Sequence, residues 1–357
     1  MLKKIFATAT LLSSVLCVYA QDSSITTKTA STILSGFVDV YYRYNLYNPK
    51  KESETFNNYT SFTNSHNSFE LNMVSLKLEH SIKRVSMVAD LGFGNRAEEF
   101  SYNDENTRFI VKQAYLSYTP WDNVKFTAGS WATHIGYELV DPVNRNYSMS
   151  YMFSKGPFFH TGLKGEVTKG KSSFMLGVAN PTDLKSASFS TKFLIAQYGF
   201  SGTNNFKAYL NYQGGKYNDT KLNQFDLVVT APLSDKFNVG VNASVLTMAP
   251  KINDKYGKGE SWWGTAMYLN ADPLSWFGLT LRGEYFSDHK QLTDVCKNIN
   301  KGANVLATTL SANFKIDNLT IIPEIRYDNA SEEIFTRNLN EPTKRSATAL
   351  IAAAYKF

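Results

Sequence analysis

The chain has 357 residues and carries 37 lysines and arginines against 31 aspartates and glutamates, a formal net charge of +6. That length admits two ordinary domains or one barrel, and the charges are scattered without a basic block, which excludes a nucleic-acid footprint. Cys17 falls in the N-terminal apolar stretch and leaves Cys296 alone, which excludes an intramolecular disulfide or a cysteine-rich metal site in the exported chain.

Lys3-Lys4, an apolar stretch from Ile5 to Val18, and Val18-Tyr19-Ala20 before Gln21 read as a secretory signal cleaved after Ala20. Leu16 directly before Cys17 lacks the small residue that lipidation requires, which argues against a lipoprotein leader. Beyond Ala20 there is no apolar run of the roughly 18 residues a membrane helix needs. An exported chain without such a run is either soluble or a barrel. With 21 tyrosines, 24 phenylalanines and many Asn, Ser and Thr, the chain is aromatic and polar at once, which suits strands facing two different solvents.

From Thr32 the chain alternates, with Leu34, Val38, Val40, Tyr42 and Tyr44 on one face and Phe37, Asp39, Tyr41, Arg43 and Asn45 on the other. A polar stretch from Tyr47 to Asn67 follows, then a strand over Ser68 to Leu78 whose alternation slips near Val74, as a β-bulge would cause. Lys77 and Lys112 fit neither face cleanly. A short turn leads into Val85 to Phe93, an acidic loop covers Asn95 to Asn106, and a fourth strand runs from Arg108 to Tyr118. Thr119 to Asn123 is a tight turn, and Val124 to Ala128 is the fifth strand.

After a long segment, Ala132 to Gly156, strands are expected over Pro157 to Val167, Ser172 to Ala179, Ser190 to Phe200, Asn205 to Tyr212, Asn223 to Thr230 and Lys236 to Leu246. Four more cover Trp262 to Asn270, Trp276 to Phe286, Ala303 to Lys315 and Asn318 to Tyr327. The last thirteen residues, Arg345 to Phe357, place Ala347, Ala349, Ile351, Ala353, Tyr355 and Phe357 on one face and Ser346, Thr348 and Lys356 on the other. This strand resembles the terminal strand of bacterial outer-membrane barrels. The total is about sixteen strands with connections alternating short and long. Such alternation predicts an all-β fold, a transmembrane antiparallel β-barrel with short periplasmic turns and long extracellular loops. Residues 21–31 are then a short periplasmic segment and residues 32–357 the barrel. Tyr118, Trp121, Phe126, Phe200, Phe206, Phe237, Trp276, Phe277, Phe314 and Phe357 lie beside the short turns, where an aromatic girdle sits.

Three passages resemble the OmpL-like β-barrel porin family of the outer membrane. They are Gly36 to Pro49 (GFVDVYYRYNLYNP), Gln113 to Tyr118 running on through Ala128 to Trp131 and His134 to Glu138, and Gly156 to Gly165 (GPFFHTGLKG). The resemblance implies a porin-like barrel and supplies no solute. In position, Ala132 to Gly156 is similar to the third loop of general porins, which folds inward and narrows the channel; His134, Tyr137, Glu138, Asp141 and Arg145 would then sit near a constriction. The alternative is a loop lying over the outer surface or mouth.

Alternation places Asp39, Arg43, Asp90, Lys125, Lys164, Glu166, Lys207, Asp226, Arg282, Glu284, Glu324 and Arg326 on the lumen face. Signs balance, so no strong ion selectivity is expected. His66, His80, His134, His160 and His289 are dispersed without metal-ligand spacing, so no metal, cofactor or catalytic set is expected. Cys296 reads as a loop bystander. The expected partners are outer-membrane lipid and small hydrophilic solutes, with a homo-oligomer left open. A surface adhesin acting through its loops, Tyr47 to Asn67 above all, is the competing function.

Overall fold

The computed structural model describes residues 30–49, 56–141, 145–338 and 341–357. The expected leader and its cleavage point after Ala20 lie outside the described residues. Sixteen barrel strands follow in order: β1 (Ser31–Asn45), β2 (Ser68–Ile82), β3 (Val85–Phe93), β4 (Val111–Trp121), β5 (Val124–Ala132), β6 (Phe159–Lys169), β7 (Ser172–Ala179), β8 (Phe193–Ser201), β9 (Lys207–Tyr217), β10 (Thr220–Ser234), β11 (Phe237–Ile252), β12 (Glu260–Leu274), β13 (Phe277–Asp288), β14 (Ala303–Ile316), β15 (Leu319–Ala330) and β16 (Arg345–Lys356). Each pairs antiparallel with its sequence neighbours, and β16 returns to β1 in a register running from Phe37↔Lys356 to Asn45↔Thr348. Closure leaves no strand edge, the condition for a sheet to span lipid, where no water can satisfy a bare backbone group.

The seam is tight at its periplasmic end. Gly36 and Phe357 exchange two backbone hydrogen bonds of 3.0 Å. A Cβ on Gly36 would collide with the Ser75 carbonyl and the Phe357 ring. Glycine is therefore the residue that lets the terminal phenylalanine seat against β1.

Along β1, Val38 and Val40 are exposed while Phe37, Asp39, Tyr41, Arg43 and Asn45 are buried, which is the alternation read from the sequence. An outside of Leu, Val and aromatics around an inside of charged and amide side chains suits lipid without and a polar interior within. Two bulges explain the awkward lysines. In β2 the register jumps from Asp39↔Met73 to Val40↔Leu71, so Asn72 is the extra residue, two positions from the predicted slip. Met73 turns inward and Lys77 follows it. In β4 the jump from Asp90↔Gln113 to Leu91↔Val111 leaves Lys112 as the extra residue and sends it inside.

One rim carries the tight turns, among them Lys83-Arg84 and Asp317-Asn318 with φ of 52° at Lys83 and 51° at Asp317. The exposed side chains of Tyr118, Trp121, Phe126, Phe237, Trp276 and Phe357 lie near that rim. The other rim carries the loops, with one correction: β9 and β10 run past the predicted ends and meet in a two-residue turn, Asn218-Asp219, with φ of 46° and 55°. Strands that project beyond the lipid lose the apolar face that marks them in sequence. The acidic loop after β3 contains a helix, α1 (Asn95–Phe100), and a short helix, α2 (Tyr151–Ser154), lies in the loop after β5.

Loops fill the outer half of the barrel. Tyr59, Tyr151, Met152, Val295, Cys296, Ile334 and Phe335 from four loops pack with Trp262 and Phe286 of the wall. Cys296, 1% exposed, is a packing residue of this cluster and not a bystander.

Candidate functional site

The loop between β5 and β6, whose residues 142–144 lie outside the described residues, is held by its backbone. Wall carboxylates accept its N–H groups: Asp226 of β10 from Gly136 at 2.9 Å, Glu324 of β15 from Tyr147 at 2.7 Å and Ser148 at 3.1 Å, and Glu284 of β13 from Met152 at 3.1 Å. Wall arginines take its carbonyls. Arg282 of β13 donates to Ser148 O at 2.8 Å and Met149 O at 3.2 Å, and Arg326 of β15 donates to Met149 O at 2.7 Å. The loop's own Glu138 closes the set, accepting from Arg282 at 2.5 Å, Ser150 N at 2.8 Å and the Tyr268 hydroxyl at 3.2 Å. Charge-assisted bonds of this kind are the strong class, and charges this deeply buried persist only when so paired.

The same loop reaches the opposite strands. The Tyr147 hydroxyl donates to Asp39 of β1 at 2.6 Å and receives the Asn72 amide at 2.9 Å. Arg96 of α1 lies 3.7 Å from Asp39, within 5.2 Å of the Phe62 and Tyr147 ring centres, and donates to Val140 O at 2.9 Å. Lys112 pairs with Asp141 at 2.5 Å and Asp90 at 3.3 Å. Attached to β1, β4, β10, β13 and β15, the loop lies across the interior and not over the outer surface.

The five candidates on this loop occupy separate places. His134 puts Nε2 3.1 Å from Tyr212 O and its ring centre 5.0 Å from that of His160, which in turn lies 3.0 Å from the Thr133 hydroxyl. Burial, reinforced by the Lys164 charge and only partly offset by the Tyr212 carbonyl, lowers the His134 pKa to about 4 and keeps it neutral. Tyr137 stacks on Tyr268 with centres 4.1 Å apart. Glu138 and Asp141 are paired as above, and Arg145 binds Asp272 at 2.6 Å near the periplasmic end.

Of the twelve lumen candidates, Asp39, Arg43, Asp90, Asp226, Arg282, Glu284, Glu324 and Arg326 are all 7% exposed or less, covered by the loops. Lys164 and Glu166 are partly exposed, and Lys125 and Lys207 exposed. The sequence reading missed Arg96, Lys112, Tyr147 and Asp328, which bonds Arg326 at 2.9 Å. Lys112 had a signal, its failure to fit either face. Arg96 and Tyr147 sit in loops, where alternation says nothing.

Two cavities flank the layer. The outer one, about 490 Å³, is lined by Asn58, Tyr59, Glu99, Lys155, Trp262 and Asp294 among others. The inner one, about 270 Å³, is lined by Phe37, Arg145, Asp272, Asn313, Lys315 and Thr320 among others.

Residues 31–357 match the family model described as "Putative beta-barrel porin-2, OmpL-like". No curated protein matches with significance. Among solved structures, the outer membrane channel DcaP of Acinetobacter baumannii superposes with a TM-score of 0.61 at 12% identity, covering 95% of this chain and 100% of that one. An anion-selective porin from Comamonas acidovorans gives 0.62 at 9% identity, covering 92% and 100%. OmpT of Vibrio cholerae in its trimer form gives 0.58 at 8% identity, covering 92% and 100%. At these identities the likeness is one of fold.

Proposed function

The chain belongs to the OmpL-like β-barrel porin family, and from that premise we propose that it carries small hydrophilic solutes across the outer membrane by diffusion, with the loop after β5 as its constriction. The observation that carries the reading is the clamp: carboxylates and guanidinium groups of β10, β13 and β15 hold the loop's peptide groups inside the barrel. A loop so held narrows a lumen that sixteen strands would otherwise leave wide. Fold and family point to transport and away from enzymology.

The cleavage point after Ala20, the periplasmic segment 21–31 and the lipid and solute partners belong to the same proposal. So does a homo-oligomer, for which the trimeric OmpT neighbour is the support. Adhesion through the first loop draws no support from its described part, where Tyr59, Phe62, Thr63 and Ser65 are buried in the mouth. Liposome swelling with sugars of graded size tests the channel: permeation falling with solute mass is expected. A heat-modifiable, folded barrel that passes no solute of any size would overturn it.

A further inference from the structure

Folding sorts the interior charges by sign. The candidate set read from sequence is balanced, yet five of its six carboxylates, Asp39, Asp90, Asp226, Glu284 and Glu324, are 4% exposed or less and bonded to loop or wall donors. Such groups present no field lines to a passing ion beyond those their partners leave over. The three arginines of the set are buried in the same way. What stays in contact with water is Lys125, Lys164, Lys207 and Glu166.

On the arc from β2 to β9, the inward charged residues with water access are Glu70 at the outer end of β2, bonded by the Asn95 amide, and, further in, Lys77, Lys125, Lys164 and Lys207 against Glu79 and Glu166. Both of these inner carboxylates are tied to lysines on their own strands, Glu79 to Lys77 at 3.0 Å and Glu166 to Lys164 at 3.5 Å. Lys125 and Lys207 have no ion-pair partner among the described residues, and each stands at the periplasmic end of its strand, just after a turn. Across the lumen, Asp272 is shared by Arg145 at 2.6 Å and Lys315 at 2.9 Å, so that wall too is left positive. The seven inner turns carry Lys83, Arg84, Lys171 and Lys236 against Asp122, Asp235 and Asp317, close to neutral. Lys356 of β16 adds one more positive charge at the seam. Lys125 and Lys207, on β5 and β9, therefore decide the sign of the inner mouth.

We propose that the channel favours anions, with Lys125 and Lys207 as the residues that set this preference and small carboxylates or phosphate-bearing solutes as the class it suits. The proposal rests on the channel reading above. A single lysine ~8 Å from a permeating ion in water raises the local anion concentration roughly twofold, less as salt screens it. Two of them support a chloride-to-potassium permeability ratio of about two or more at low salt.

The test is the reversal potential of the purified full-length barrel in a planar bilayer under a KCl gradient. The wild type is expected to prefer chloride, and the K125E/K207E variant to lose or reverse that preference while its barrel remains heat-modifiable. Both positions are exposed and make no ion pair among the described residues; because K125E faces Glu166 across the β5–β6 pair, K125Q/K207Q is the folding control, expected to lose the preference without the like-charge contact. Cation preference in the wild type, or an unchanged ratio in the double variant, overturns the proposal while leaving the channel standing. A folded barrel that conducts nothing overturns the channel reading itself, and this inference with it.

Discussion

Replacing Glu138 with alanine removes the one carboxylate that the loop itself brings to the clamp. Its loss leaves Arg282, 0% exposed, with three neutral acceptors among the described residues: Ser148 O at 2.8 Å, Met149 O at 3.2 Å and the Thr309 hydroxyl at 3.1 Å. Breaking a buried pair by deleting one partner costs about 3–5 kcal/mol, most of it the uncompensated charge. That cost is avoided if the loop lifts and water reaches Arg282. The docked-to-lifted ratio should therefore fall by roughly two to three and a half powers of ten, at about 1.4 kcal/mol per decade. Glu324, Glu284 and Asp226 still hold the backbone elsewhere, so the loop should fluctuate and not leave. Single-channel recording is expected to show a larger mean conductance and frequent transitions. E138Q, which keeps an acceptor for Ser150 N but loses the charge, should lie between, at about 1.5–3 kcal/mol. A conductance histogram for E138A that matches the wild type, from a barrel shown by heat-modifiability to be folded, would refute the clamp as a determinant of pore size.

Three further outcomes follow from the geometry. Gly36→Val should lower the yield of folded barrel, since a side chain there meets the Ser75 carbonyl and the Phe357 ring at a seam with no slack, a cost of about 1–3 kcal/mol; undiminished heat-modifiable protein would contradict it. Asp183, buried where it accepts Phe158 N at 2.7 Å and Phe159 N at 2.9 Å, has its pKa raised to about 7 by burial. The folded loop therefore holds a proton that the unfolded one releases between the ordinary carboxylate range and about pH 7, and its docking should be firm at pH 5 and weaken as pH rises through 7. Hydrogen exchange over residues 180–192 measures this, and D183N should flatten the dependence. His134 has the opposite sign: with its pKa lowered to about 4, the docked loop resists the proton that the undocked one takes up near 6.5, so conductance should rise as pH falls from 6.5 through 4. The same conductance at pH 7 and pH 4 would remove His134 from the account.

The barrel was legible because lipid imposes one rule on every strand, and that rule writes itself as alternation. Val38 and Val40 against Asp39 and Tyr41 could be read without a structure, and so could the terminal strand up to Phe357. Legibility stopped where lipid stops. β9 and β10 continue beyond the bilayer as Gly214, Gly215 and Lys216 facing Lys221 to Asn223, and with no apolar face they read as loop. Bulges also break the code locally: Lys112 and Gln113 are consecutive residues that both bond inward, Lys112 to Asp141 and Gln113 to Asp90. Parity puts Asp226, Glu284 and Glu324 on the inward face, but parity cannot say whether an inward carboxylate meets water or a peptide N–H. That depends on a loop whose path no periodicity encodes.

The clamp explains why this loop offers so little to a sequence reader. Asp226, Glu324 and Glu284 bind N–H groups, and Arg282 and Arg326 bind carbonyls, which every residue but proline supplies alike. Recognition of backbone puts the information for the loop's course in the wall, on strands whose register closure has already fixed. The loop's side chains are then free for other work: Tyr147 ties β1 to the layer through Asp39, and Arg145 reaches Asp272 at the inner cavity. It follows that substitutions in the wall should disturb the pore more than most substitutions in the loop, Glu138 excepted, because each wall charge removed strands buried peptide groups.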